Sequence, residues 1–99
     1  NEHPLIELIK ITHNFSNYCK GKKIIPIYFI LSDYNNTQLL LLHKSLISSS
    51  IHSIYWNLSE ENNLSELKWE KDCHLKQKGY NKMADMIYEY LKNNNLIPQ

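Results

Sequence analysis

Helical and strand-like segments alternate along this chain with short connections, and the alternation predicts an α/β fold with parallel strands. Residues 24–31 are apolar on both faces, as a parallel strand covered on each side by helices should be. Residues 51–58 are rich in β-branched and aromatic side chains (Ile51, Ile54, Tyr55, Trp56) and read as a second strand. Between them the leucines recur at helical spacing, so that strand, helix and strand make one βαβ unit.

The chain opens with a helix. Pro4 suits a first helical turn, where its missing N–H costs nothing, and Leu5, Leu8, Ile9 and Thr12 recur at the spacing of one buried stripe. Lys20, Gly21 and Lys22 close it. In the strand that follows, Pro26 donates no ladder hydrogen bond and is expected near the strand's beginning or beside a bulge. Residues 32–36 form a polar loop. Asn36 or Thr37 then caps a second helix whose stripe is Leu39, Leu42, His43 and Leu46, and residues 48–50 end it.

After the second strand, residues 59–73 turn polar and acidic (Glu60, Glu61, Glu66, Glu70) without periodicity and are expected to form one long loop. A last helix runs through Tyr80, Met83, Ala84, Ile87 and Leu91 to the Asn run at 93–95. No internal repeat and no second domain is visible.

Composition narrows the function classes. At 99 residues the chain is one domain at most, and so short a chain buries only about two-thirds of its unfolded surface. Eleven basic residues against ten acidic ones leave a formal charge of +1. The lysines are scattered, so no nucleic-acid footprint is expected. The apolar runs fall well short of the roughly 20 residues a membrane span needs, and nothing at the start reads as a signal peptide, so a soluble chain is expected. Cys19 and Cys73 lie far apart without a C-x-x-C spacing, which argues against a disulfide framework or a zinc site; no cofactor is expected. The chain opens Asn1, Glu2, His3 with no initiator Met, and further residues of the same protein are expected upstream.

Asp72 and His74 form the constellation that carries chemistry. A serine hydroxyl is a poor nucleophile near neutral pH, so a base must take its proton as attack begins, and imidazole titrates in the right range. The base needs a carboxylate on its other ring nitrogen to fix the tautomer and stabilise the imidazolium. Residues two apart on an extended loop point the same way, so Asp72 can orient His74 without help from elsewhere. Cys73 between them faces the opposite way and is expected to pack inward or face solvent.

Residues 72–84 read Asp-Cys-His-Leu-Lys-Gln-Lys-Gly-Tyr-Asn-Lys-Met-Ala; Ile87, Tyr90 and Leu91 extend the pattern. This stretch resembles the last conserved block of the SGNH (GDSL) hydrolases, in which an Asp and a His precede a Gly-containing helix start. The resemblance implies the C-terminal part of a flavodoxin-like three-layer α/β/α sandwich with parallel strands, with Asp72 and His74 as the acid–base pair of a serine esterase. It covers all 99 residues in element order, but only the 20 or so from Asp72 onward are specific. Gly79 would let the helix approach a neighbouring strand closely. Two positions depart from the family pattern. Many members place two residues between acid and base, which puts Lys71 at the acid's position and leaves Glu70 as a weaker substitute. Lys76 stands where the family usually has an Asn, Ser or Thr cap. The Gly-Asp-Ser block that holds the nucleophile, and the Gly and Asn of the oxyanion hole, do not occur in this sequence.

Two functions from different classes follow. The first is a carboxylic-ester hydrolase or transferase acting on a small-molecule, carbohydrate or lipid ester, with its serine supplied upstream and this segment inactive alone. The second is a non-catalytic α/β module that binds a partner through an exposed sheet edge. His3, His13, His43 and His52 are expected as partly exposed helix or strand residues, Ser32 as loop polarity, and Trp56 and Trp69 as core or cleft wall. The strand at 24–31 would lack a neighbour on one side, so self-association is expected.

Overall fold

The computed structural model of the chain describes residues 3–32, 36–72 and 74–98. They form two compact units, Asn1–Asn57 and Leu58–Gln99. The first contains α1 (His3–Gly21), β1 (Ile27–Ser32), α2 (Thr37–Ser48) and β2 (His52–Asn57); the second contains a 3-10 turn (Leu58–Glu60), α3 (Leu64–Leu67) and α4 (Gln77–Asn93). The architecture is mixed α/β with a two-stranded parallel sheet, as the alternating pattern predicts.

β1 and β2 pair in parallel from Ile27↔His52 to Ser32↔Asn57, and α2 is the crossover that parallel pairing requires. Ile30, Leu42 and Leu46 are the buried centre, with Leu5, Ile9, Tyr28 and Tyr55 packed against them. Tyr28 and Ile30 share one face of β1, so α1 and α2 both cover that face. On the opposite face Phe29 and Trp56 meet edge to face at 6.5 Å. Trp56 is core.

The buried stripe of α1 differs from the sequence reading. Thr12, Ser16 and Cys19 are buried, whereas Leu8 is exposed. Polar groups occupy the stripe because each is satisfied: the Thr12 hydroxyl donates to the Ile9 carbonyl (2.9 Å) and that of Ser16 to the Thr12 carbonyl (2.7 Å), which also accepts from the Tyr28 hydroxyl (2.9 Å).

All three long helices end alike. The amide of Ile24 donates to the Cys19 carbonyl and that of Lys23 to Lys20; Ile51 and Ser50 repeat the pair on Leu46 and Ile47, and Leu96 and Asn95 repeat it on Leu91 and Lys92. This is the Schellman turn, which places one residue in the left-handed region, usually glycine. Here the residues are Lys23, Ser50 and Asn95, with φ of 59°, 60° and 57°. The turn also explains where β1 starts. The Ile24 amide is committed to the helix end and Pro26 has no N–H, so the strand expected from Ile24 begins at Ile27.

Asn36, not Thr37, caps α2: its side-chain oxygen accepts from the amides of Gln38 (3.0 Å) and Leu39 (3.2 Å). Positions 33–35 of the expected polar loop lie outside the described residues. The long loop expected over 59–73 contains α3 instead. Leu58 and Leu67 are buried and anchor the two short helical turns, and Lys82 donates to Glu61 at 2.5 Å. In α4 the half-buried side is Met83, Met86, Ile87, Tyr90 and Leu91; Tyr80 and Ala84, expected on it, are exposed. Among the described residues no helix is long and apolar enough to cross a membrane.

Candidate functional site

The segment from Leu67 to Gln77 is a short hairpin that presents Asp72 and His74 at its tip. Lys68 and Leu75 form an isolated antiparallel bridge at its base. The Lys76 amide donates to the Leu67 carbonyl (2.8 Å) and the Trp69 amide to that of His74 (3.3 Å). Leu67 and Leu75 are buried beneath, which fixes the base of the hairpin by packing.

Gly79 explains how α4 can start so close to this base. A Cβ there would lie 2.3 Å from the Leu67 carbonyl oxygen and 3.0 Å from the Leu75 Cβ. Its backbone thus approaches the end of α3, not a strand as the sequence reading expects. The N-terminus of α4 carries no side-chain cap at Lys76, in line with that residue's chemistry.

At the tip, Asp72 Oδ1 accepts from the His74 backbone amide at 3.0 Å, an Asx turn, and the same oxygen meets His74 Nδ1. A carboxylate oxygen can only accept, so Nδ1 carries the hydrogen and Nε2 of the neutral ring carries the lone pair. Nε2 has no hydrogen-bond partner among the described residues, and both side chains are open to solvent, 69% for His74 and 52% for Asp72. The one-residue spacing therefore brings the carboxylate and the imidazole together, with Asp72 and not Glu70 as the ring's partner. Such a pair can accept a proton at Nε2 and return it to a leaving group. Cys73 lies outside the described residues.

Beside the hairpin is a cavity of about 630 Å³ lined by Leu64, Ser65, Lys68, Trp69, Glu70 and Lys76. Neither Asp72 nor His74 lines it. The Lys76 ammonium sits 4.7 Å from the centre of the Trp69 ring and donates to the Ser65 carbonyl at 2.7 Å. Trp69 is 55% exposed and so forms a wall, the alternative to core that the sequence leaves open.

The remaining sequence-level candidates lie in the first unit. Ser32 is the last residue of β1 and is buried, so it is neither loop polarity nor an accessible group. His13, His43 and His52 are half-buried on their helices and strand. His43 Nδ1 lies 2.8 Å from the Ser53 hydroxyl, its ring packs on Tyr55 with centroids 5.5 Å apart, and burial lowers its pKa from the ordinary imidazole value. His13 has a role the sequence does not signal. Its Nδ1 donates to the Ile9 carbonyl (2.8 Å), leaving Nε2 to accept from the Ser49 hydroxyl (3.0 Å). Thirty-six positions separate His13 from Ser49; no local pattern links them. No cluster of three His, Cys, Asp or Glu side chains suited to a metal ion occurs among the described residues. The chain matches no protein-family model, no curated protein and no solved structure.

Proposed function

We propose that this chain is the C-terminal part of a serine-dependent carboxylic-ester hydrolase of the SGNH (GDSL) type, in which His74 is the general base and later acid and Asp72 orients it. The observation that carries the reading is the double use of Asp72 Oδ1, which holds both the amide and Nδ1 of His74 and so presents Nε2 outward as a proton acceptor. In this reading β1 and β2 belong to a flavodoxin-like three-layer sandwich, and residues outside this sequence supply the nucleophilic serine and the oxyanion hole. The substrate is an ester of a small molecule, carbohydrate or lipid, and this segment alone does not turn over.

A second reading, a non-catalytic α/β module, is favoured by one feature. The only glycines, Gly21 and Gly79, are followed by Lys22 and Tyr80, so no Gly-Asp-Ser nucleophile block exists within these residues.

The test uses the native protein isolated from its source. Its intact mass is compared with the 11.8 kDa of this chain, and it is treated with a fluorophosphonate, which labels activated serines. The proposal expects a longer protein, one labelled serine, and loss of p-nitrophenyl acetate hydrolysis by about 10³-fold or more in His74→Ala. A native mass equal to that of this chain, with no labelled serine, would sink it in favour of the binding module.

A further inference from the structure

The first unit holds a second cavity, of about 570 Å³, within the size range of small-molecule sites. It lies at the N-terminal edge of the sheet, between the end of α1, the α1–β1 link and the turn from α2 into β2, because Ile27 and His52 are the paired first residues of the strands. The Asp72–His74 pair belongs to the other unit.

Its lining combines cationic, polar and aliphatic residues, His13 and His52 among them. Lys20 and Lys23 are its cationic residues, and among the described residues no aspartate or glutamate lines the cavity, although the whole chain is nearly neutral. Ser50 and Asn17 add uncharged donors. The apolar part is Ile24 and Ile25, adjacent and 55% and 60% exposed, continued by Pro26 and Ile51. Positive charge and hydroxyls beside rigid aliphatic side chains fit a ligand with an anionic head and a short aliphatic tail.

The walls are built before any ligand arrives. Two Schellman turns fix the lips, one placing Lys23 and the other Ser50 in the left-handed region. The Ser49–His13 hydrogen bond ties the α2–β2 turn to α1 across the cavity's rim. The backbone of the lips is thus set in advance, and the ordering that binding still requires is that of the exposed lysine and isoleucine side chains.

We propose that this cleft binds a small amphiphilic anion, a medium-chain carboxylate or alkyl phosphate, with its head at Lys20 and Lys23 and its tail on Ile24 and Ile25. The ammonium groups select the charge, and the isoleucines select the tail.

The test is a titration of the full chain followed by amide NMR, with octanoate, octyl phosphate, octanol and octyltrimethylammonium as probes. Saturable shifts are expected with octanoate or octyl phosphate at dissociation constants of about 1 mM or tighter, confined to the segments that line the cavity, residues 13–26 and 49–52. Which of the two anions binds more tightly identifies the head group. Octanol should bind at least about tenfold more weakly, and the cationic amphiphile should not saturate. Lys20→Gln with Lys23→Gln should weaken the anion about tenfold, whereas Lys44→Gln, on the exposed side of α2, should leave it unchanged. Ile24→Ser is the second variant, predicted to weaken the tail contact without touching charge. Equal binding of anionic and cationic amphiphiles, shifts elsewhere in the chain, or no saturation with either anion would overturn the proposal.

Discussion

Replacing Gly79 by alanine tests how the hairpin is supported. Two terms oppose each other. Alanine is the better helix former by about 1 kcal/mol, which alone would stabilise α4. Against it, the new Cβ would lie 2.3 Å from the Leu67 carbonyl oxygen and 3.2 Å from its carbon, both backbone atoms that cannot rotate away. Relieving the overlap needs a shift of about 1 Å in α4 or in the end of α3, and overpacking of that kind costs roughly 1–3 kcal/mol. That same carbonyl accepts the Lys76 amide at 2.8 Å, so the shift also weakens a hydrogen bond worth about 1 kcal/mol. The overlap dominates, and a net loss of about 1–3 kcal/mol is expected. Urea denaturation of wild type and Gly79→Ala, with amide exchange at Lys76 as the local probe, measures both parts. A variant as stable as wild type, with Lys76 equally protected, would refute the close-approach argument.

Other outcomes follow from the same geometry. Gly21, the last residue of α1, has no atom within 4 Å of the position a methyl group would occupy, so Gly21→Ala should raise stability by about 0.5–1 kcal/mol in the same urea assay. Ser50→Gly should relieve left-handed strain and stabilise by up to about 1 kcal/mol, more than Asn95→Gly, because asparagine tolerates that region better than serine. Burial lowers the pKa of His43, so the unfolded chain takes up that proton before the folded one does; stability from this group is complete above about pH 6.5 and falls as pH drops below it. Thermal melts from pH 7.5 to 5 should therefore decline less steeply in His43→Gln. Finally, β1 and β2 pair only with each other among the described residues, and sedimentation is expected to show species heavier than 11.8 kDa; a monodisperse monomer would count against edge association.

The long elements were legible because their periodicities are long. Leu42 and Leu46 mark the buried side of α2, and Ile27, Phe29 and Ile54 sit within strand-length runs bounded by turn residues. Less legible were features set by non-local satisfaction. Leu8 continues the leucine pattern of α1 yet is exposed, while Ser16 is buried because the Thr12 carbonyl and the Tyr28 hydroxyl meet it. α3 is a single turn in an acidic stretch, too short for periodicity. Asn63 followed three residues later by Glu66 has the spacing of a capping box, but no side-chain cap forms: the Asn63 side-chain amide donates to the Glu66 carboxylate instead, at 3.1 Å. At the candidate site the meeting of Asp72 with His74 could be read from spacing alone. The Trp69–Lys76 contact could not, since it depends on the hairpin folding back on itself.

The Asp72–His74 contact has a thermodynamic consequence of its own. Only one residue separates the two, so their effective concentration toward each other is high even when no tertiary structure surrounds them. An interaction that persists in the unfolded ensemble cancels from the folding equilibrium, and a solvent-exposed pair contributes little in any case. Asp72→Asn should accordingly leave the unfolding midpoint where it is. Whatever that substitution changes in the whole protein will report on His74's ring and its proton rather than on the integrity of the fold, a separation that acid and base drawn from distant elements rarely allow.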